Sequence, residues 1–316
     1  PAPRSKMKLL VLALSLAVAA GLAPGRPLPG SLARLRGGAV QAVSPTKLPA
    51  ETYEALAEKG AINAKAPLPK ALHQAFMGGM YVAIGGVFAL TVAGMLPNAG
   101  PDLQRLVIGL IFPIGLIFIL QAAGQLMTGN FMLCTAAWLE GKISVEQMFR
   151  AFGVAALGNT AGCLTVAHLI KEAGLLKGGT ATVAAALATK KCAGAALPNL
   201  IKAVLCNWLV SLAIFLASSA ADVPGKILGI WSCIPMFVTI GLEHSVANIF
   251  FLPFGKLAGA EVTVAQIITK NLIVVTLGNL IGGGGLLAAG MSFQFGKLGA
   301  PPPPPPPALP AGEKAP

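Results

Sequence analysis

Gly241-Leu242-Glu243-His244-Ser245-Val246-Ala247-Asn248 places an acid, an imidazole and two small polar side chains inside an otherwise apolar run from 227 to 255. A charge at mid-depth in a bilayer costs at least about 2.5 kcal/mol on insertion scales, so an intramembrane pair of this kind marks a functional candidate. The rest of the chain decides that lipid is the solvent. Its 316 residues are 55% hydrophobic and only 11% charged, with a mean hydropathy of +0.76, too apolar for a water-soluble fold of this length. With 6% aromatics and 38 glycines, the composition suits closely approaching membrane helices.

Working outward, apolar segments at 75–96, 106–139, 151–167, 203–221, 227–255 and 272–295 give six spans. The segment 106–139 carries no charge, yet as one helix it would run about 50 Å against a hydrocarbon core of about 30 Å. Two full spans with a turn need more residues. One discontinuous helix, broken where Gly124-Gln125-Leu126-Met127-Thr128-Gly129-Asn130 gathers glycine and polar groups, fits the length. The run 227–255 breaks in the same way at Glu243-His244.

The halves resemble one another. Leu157-Gly158-Asn159 with Gly162 recurs as Leu277-Gly278-Asn279 with Gly282. Pro113, Gly124, Thr128 and Asn130 align loosely with Pro235, Gly241, Ser245 and Asn248. Units of three spans, about 75–170 and 203–296, must cross the membrane in opposite senses, which brings their breaks face to face. The expected fold is therefore all-α integral membrane, with six transmembrane helices in two inverted three-helix repeats and broken second and fifth helices. Irregular backbone at such depth is tolerated only where protein or a water-filled cavity satisfies it, so the breaks mark a pathway.

For Glu243 the readier reading is structural, a carboxylate accepting hydrogen bonds from freed backbone donors. For His244 the functional reading is stronger, because an imidazole both donates to an anion and exchanges a proton near neutral pH. Thr128 divides evenly between offering its hydroxyl to a ligand or to His244 and bonding a local carbonyl. Asn130, Asn159, Asn207, Asn248 and Asn279 sit in apolar surroundings, where amides tie broken backbone to neighbouring helices. Lys190 and Lys191 read as lysines of a solvated loop. Phe112, Leu116, Leu126, Val210 and Phe237 are candidates for a narrow apolar constriction, although each alone is more often simple core.

Ahead of the spans, Met7-Lys8, an apolar run at 9–20 and Ala17-Val18-Ala19 read as a signal peptide. Residues 21–50 are basic and free of acid, like an organelle transit peptide, or equally a disordered linker. Together, 1–48 form a targeting-like segment that hints at a plastid envelope. Residues 49–74 hold a short amphipathic surface helix, on which Glu51, Tyr53, Leu56, Ala57 and Ile62 recur at near-helical spacing, and a linker. At 297–316 a proline-rich tail includes the extended run Pro301 to Pro307.

The motifs Phe112-Pro113-Ile114-Gly115-Leu116, Leu126-Met127-Thr128, Asn207-Trp208-Leu209-Val210, Gly241 to Asn248 and Asn271 to Gly283 resemble those of the formate/nitrite transporter family over roughly 49–295. An algal plastid branch is the nearest in flavour. The resemblance implies an aquaporin-like protomer in a homopentamer, each protomer with its own pore for a small monovalent anion such as nitrite or formate, taken up with protons. It implies that His244 is the central pore histidine, Thr128 its partner, Glu243 and Asn207 supporting groups, and Lys191 the vestibule lysine that attracts anions. It also makes Phe112, Leu116, Leu126, Val210 and Phe237 two apolar constrictions flanking the histidine. Gln125 departs from the pattern, since many bacterial members carry an acid there.

The net charge of +12 is scattered through termini and loops, with no basic helix interleaved with aromatics, which speaks against a nucleic-acid partner. An aquaporin-type channel for neutral solutes is the alternative function, but its paired Asn-Pro-Ala signatures are missing. An intramembrane enzyme is poorly supported. His73, His168 and His244 lack ligand spacing, so no metal or cofactor is expected. The five cysteines show no CxxC spacing, and four of them lie in apolar segments, where they read as small packing residues.

Overall fold

The computed structural model describes residues 46–301. The targeting segment up to residue 45 and the proline-rich tail beyond 301 lie outside the described residues.

Ten helices follow one another among the described residues: α1 (Pro49–Lys65), α2 (Leu68–Gly94), α3 (Pro97–Gln121), α4 (Met127–Leu139), α5 (Val145–Glu172), α6 (Gly178–Cys192), α7 (Ala196–Ser219), α8 (Val223–Ile240), α9 (Ser245–Leu257) and α10 (Val264–Phe295). Six of them, α2, α3, α5, α7, α8 and α10, are long and apolar enough to cross a bilayer. Every span starts earlier than hydropathy suggests. Helix α10 begins at Val264 rather than near 272 because Lys270 and Asn271, which end the hydropathic run, sit inside it, Asn271 fully buried. Helix α2 begins at Leu68, so the linker expected before the first span shrinks to Ala66-Pro67.

Close helix crossings hold the spans together. Helix α5 lies along α2, and α10 along α7. At the first crossing a Cβ on Gly162 would collide with the carbonyl of Phe76, and at the second a Cβ on Gly282 would collide with that of Val204. Only glycine permits backbones this close, the way lipid-embedded helices gain dispersion contact without a hydrophobic driving force between them.

Helix α1 is not a free surface helix. Tyr53, Leu56, Ala57, Gly60, Ala61 and Ala64 form its buried stripe, docked on α4, while Ile62 faces outward at 67% exposure. Its end is clasped by Glu140, the residue that closes α4. That carboxylate accepts the Tyr53 hydroxyl at 2.8 Å, the Ser292 hydroxyl at 2.7 Å and the Lys297 backbone N–H at 3.1 Å. Burial alone would raise the Glu140 pKa, but the hydrogen bonds from Ser292, Tyr53 and Lys297 outweigh it and hold the carboxyl below its ordinary value. The loop expected around Lys190 and Lys191 is the helix α6, too short and too mild in hydropathy to register as a span, and it lies against α9.

Candidate functional site

Two linkers deliver the polar groups. After α3 the chain turns at Ala123, whose φ of 57° is left-handed, and resumes as α4 at Met127. After α8 it turns at Gly241, with φ of 86°, and resumes as α9 at Ser245. Each new helix start exposes backbone N–H groups with no intrahelical acceptor. At each start an asparagine from a neighbouring span satisfies the first of them. Asn159 Oδ1 accepts from Met127 N at 2.8 Å, while its Nδ2 donates to Ala75 O and Gln125 O, both at 2.8 Å. Asn279 Oδ1 accepts from Ser245 N at 2.8 Å, while its Nδ2 donates to Ala203 O at 2.8 Å and Glu243 O at 3.0 Å.

His244 caps α9. Its Nδ1 accepts the Ala247 N–H at 3.1 Å, which assigns the proton of the neutral ring to Nε2. Nε2 is buried and has no hydrogen-bond partner among the described residues. Burying such a donor without an acceptor costs roughly 1–3 kcal/mol. The ring tilts against Phe237 with centroids 5.8 Å apart, and Phe237 meets Phe112 edge-on at 6.4 Å.

A cavity of about 420 Å³ reaches these three side chains. Arg105, Lys190, Lys191 and Lys202 line it. Lys191 is not a free cation there, because its Nζ lies 2.9 Å from Glu243 Oε1 with the two side chains only 14% and 6% exposed. The other carboxylate oxygen of Glu243 accepts Asn248 Nδ2 at 2.6 Å and Asn271 Nδ2 at 3.2 Å. Arg105 pairs with Asp102 at 3.1 Å. Lys190 and Lys202 form no ion pair among the described residues, which makes them the free cations of the cavity.

The remaining candidates separate. Thr128 Oγ1 is buried and unpaired, and no hydrogen bond joins it to His244. Thr128 is held through its carbonyl, which accepts Asn207 Nδ2 at 3.2 Å, while the same amide donates to Asn279 O at 2.7 Å. Asn207 therefore links the start of α4 to α10. Asn130 is bonded by Asn63 of α1 at 2.9 Å and reaches Gln125 at 3.4 Å, while Gln125 donates to Gln74 at 2.8 Å. Leu116, Leu126 and Val210 are buried in the common apolar core but do not line the cavity. Asn271, Lys202 and Asn63 carry no signal in the sequence that marks them for the site. Each sits one residue among many of its kind, and only the folded contacts single it out. Among the described residues no group of three His, Cys, Asp or Glu side chains is placed to hold a metal ion.

A sequence model described as formate/nitrite transporter matches residues 50–293. The chain is similar to a probable formate transporter of Methanothermobacter thermautotrophicus, at 38% identity over 75% of this chain and 93% of that protein. It is also similar to the nitrite transporter NirC of Escherichia coli, at 34% identity over 71% of this chain and 83% of that protein. A solved pentameric formate channel with formate bound superposes with a TM-score of 0.64 at 26% identity, over 73% of this chain and 98% of that one.

Proposed function

The chain belongs to the formate/nitrite transporter family and is a membrane transport protein rather than an enzyme, and from that premise we propose that each protomer carries formate or nitrite past His244 within a homopentamer. The observation that carries the proposal is the buried, unpaired Nε2 of His244 at the inner reach of a cavity bearing free lysines. An anion drawn to Lys190 and Lys202 meets the Phe112 and Phe237 rings next, where it sheds water, and finds in Nε2–H a directional donor. The family membership disfavours the aquaporin-type alternative for neutral solutes, and so does the cationic lining.

Proton coupling follows from the energetics of the same step. A bare monovalent anion in a low-dielectric passage carries a desolvation penalty of several kcal/mol, which the neutral acid largely escapes. The ring holds one proton and Nδ1 is occupied by the Ala247 N–H, so a proton given up at Nε2 must be returned there. His244 thus orients the anion while the neutralising proton enters with it from water, and flux rises as external pH falls.

The fold we infer for this path is a pair of inverted repeats. The matched asparagine bonds support it, as does the occurrence of a left-handed residue at each break, Ala123 and Gly241. On this reading Gln125 stands opposite Glu243, Leu126 opposite His244 and Asn130 opposite Asn248, which sets Thr128 against Val246 rather than Ser245 and Gly124 against Leu242 rather than Gly241, and one break carries the imidazole where the other has a leucine.

Formate and nitrite flux into vesicles containing the purified protein tests the reading. His244→Phe should abolish uptake while the oligomer stays intact in detergent. Undiminished uptake by that variant would remove the histidine from the mechanism.

A further inference from the structure

At the opposite ends of α7 and α8 from the His244 cavity lies a second one, of about 370 Å³. Lys47, Lys59 and Lys226 line it together with the C-terminal ends of α3 and α7, and no Asp or Glu does. Among the described residues none of the three ammonium groups has a hydrogen-bond or ion-pair partner. Lysines near helix C-termini commonly complement the exposed carbonyls. Here none of them bonds a carbonyl, and two of them repel each other. Lys59 keeps solvent access at its surface, yet burial by the surrounding protein and then the charge of Lys226 lower its pKa. Three like charges lining one cavity favour an anion placed between them.

The cavity also has a place in the architecture. Ala55, Lys59 and Asn63 of α1 have the same spacing as Val183, Leu187 and Lys191 of α6. Asn63 bonds the Asn130 and Gln125 arm as Lys191 bonds the Glu243 arm. Ala55 and Lys59 line the second cavity as Val183 and Leu187 line the first. Lys191 at the first cavity is ion-paired, whereas the neutral Asn63 stands outside the lining of the second, whose three lysines have no counter-charge among the described residues.

We propose that Lys47, Lys59 and Lys226 form a binding site for a multivalent oxyanion of the phosphate class, whose occupancy obstructs the mouth opposite His244. A monovalent anion needs one such partner. Three ammonium donors around one cavity match the charge and the several acceptor oxygens of a phosphate. The ligand is either inorganic phosphate or the phosphate of an anionic phospholipid headgroup. That occupancy obstructs flux rests on the proposed function above, whereas the binding itself does not.

The full-length protein in phosphatidylcholine vesicles is assayed for formate uptake with graded inorganic phosphate, and phosphate binding to the detergent-solubilised protein is titrated by calorimetry. Phosphate should inhibit, and Lys59→Gln and Lys226→Gln should each raise the half-inhibiting and half-binding concentrations about tenfold, the loss of one charge-assisted hydrogen bond. Lys171→Gln, which lines neither cavity, should leave both within about twofold. If the headgroup is the ligand, phosphatidylglycerol vesicles should show reduced uptake that the same two variants restore, with free phosphate inert. No phosphate binding and no lipid effect overturns the proposal. Binding that the variants weaken, with no formate or nitrite uptake under any condition, leaves the site standing and overturns the transport reading instead.

Discussion

Removing the ammonium of Lys191 should destabilise the protein far more than removing a surface charge. Glu243 is 4% exposed, and without its 2.9 Å partner it becomes an uncompensated carboxylate in the interior. Breaking a buried pair from one side costs about 3–5 kcal/mol. Two amide donors, Asn248 and Asn271, remain on the carboxylate and place the loss near the lower end. For a domain of this size about 3 kcal/mol corresponds to a fall in Tm of roughly 6–12 °C. The proposed repeat suggests the remedy, because it sets Asn63 and Gln125, with no charge at all, in the corresponding places. Lys191→Asn combined with Glu243→Gln should therefore recover most of what Lys191→Asn alone loses, with a coupling energy of about 2–3 kcal/mol in a double-mutant cycle. Thermal unfolding of the solubilised oligomer reads all four corners of the cycle. A single variant that melts within a degree or two of the parent, or a double variant no more stable than the sum of the singles, refutes the argument.

Further outcomes follow from neighbouring contacts. Asn279→Ala removes the acceptor of Ser245 N–H and the donor to two buried carbonyls, and should cost about 2–4 kcal/mol in unfolding measurements, as should Asn159→Ala at the matching position. Ala123→Gly relieves a left-handed alanine and should raise stability by up to about 1 kcal/mol, where an alanine at Gly241 should lower it by a similar amount. The clasp on α1 is acid-sensitive. Because folding depresses the Glu140 pKa, its contribution is fully present above the ordinary value of 4.5 and fades as pH falls through the folded value. Limited proteolysis within α1 should accelerate only in that acid range, and Glu140→Gln should flatten the dependence.

The six spans were legible because each is a run of apolar residues long enough to fill a bilayer, and the polar clusters at 124–130 and 241–248 announced both linkers. Helix α6 was not, since its alanines and threonines carry neither hydropathy nor a strong amphipathic period. The site was legible as residue types but not as pairings. His244 stood out as an ionisable group in an apolar run, yet nothing in one dimension says that Nδ1 is occupied and Nε2 is not. Lys191 reads like any lysine near a helix end until α6 packs on α9 and sets it against Glu243. Lys59, Lys226 and Lys47 belong to three separate stretches of chain, and only the fold assembles them.

Four of the five thiols, Cys134, Cys163, Cys206 and Cys233, are buried, while Cys192 is only partly covered. It follows Lys191 directly and ends α6. A maleimide dye added to the unmodified protein should therefore attach at one position per subunit, beside the Lys191–Glu243 pair. Its emission would report on that mouth as anions and protons arrive, with no engineered cysteine required.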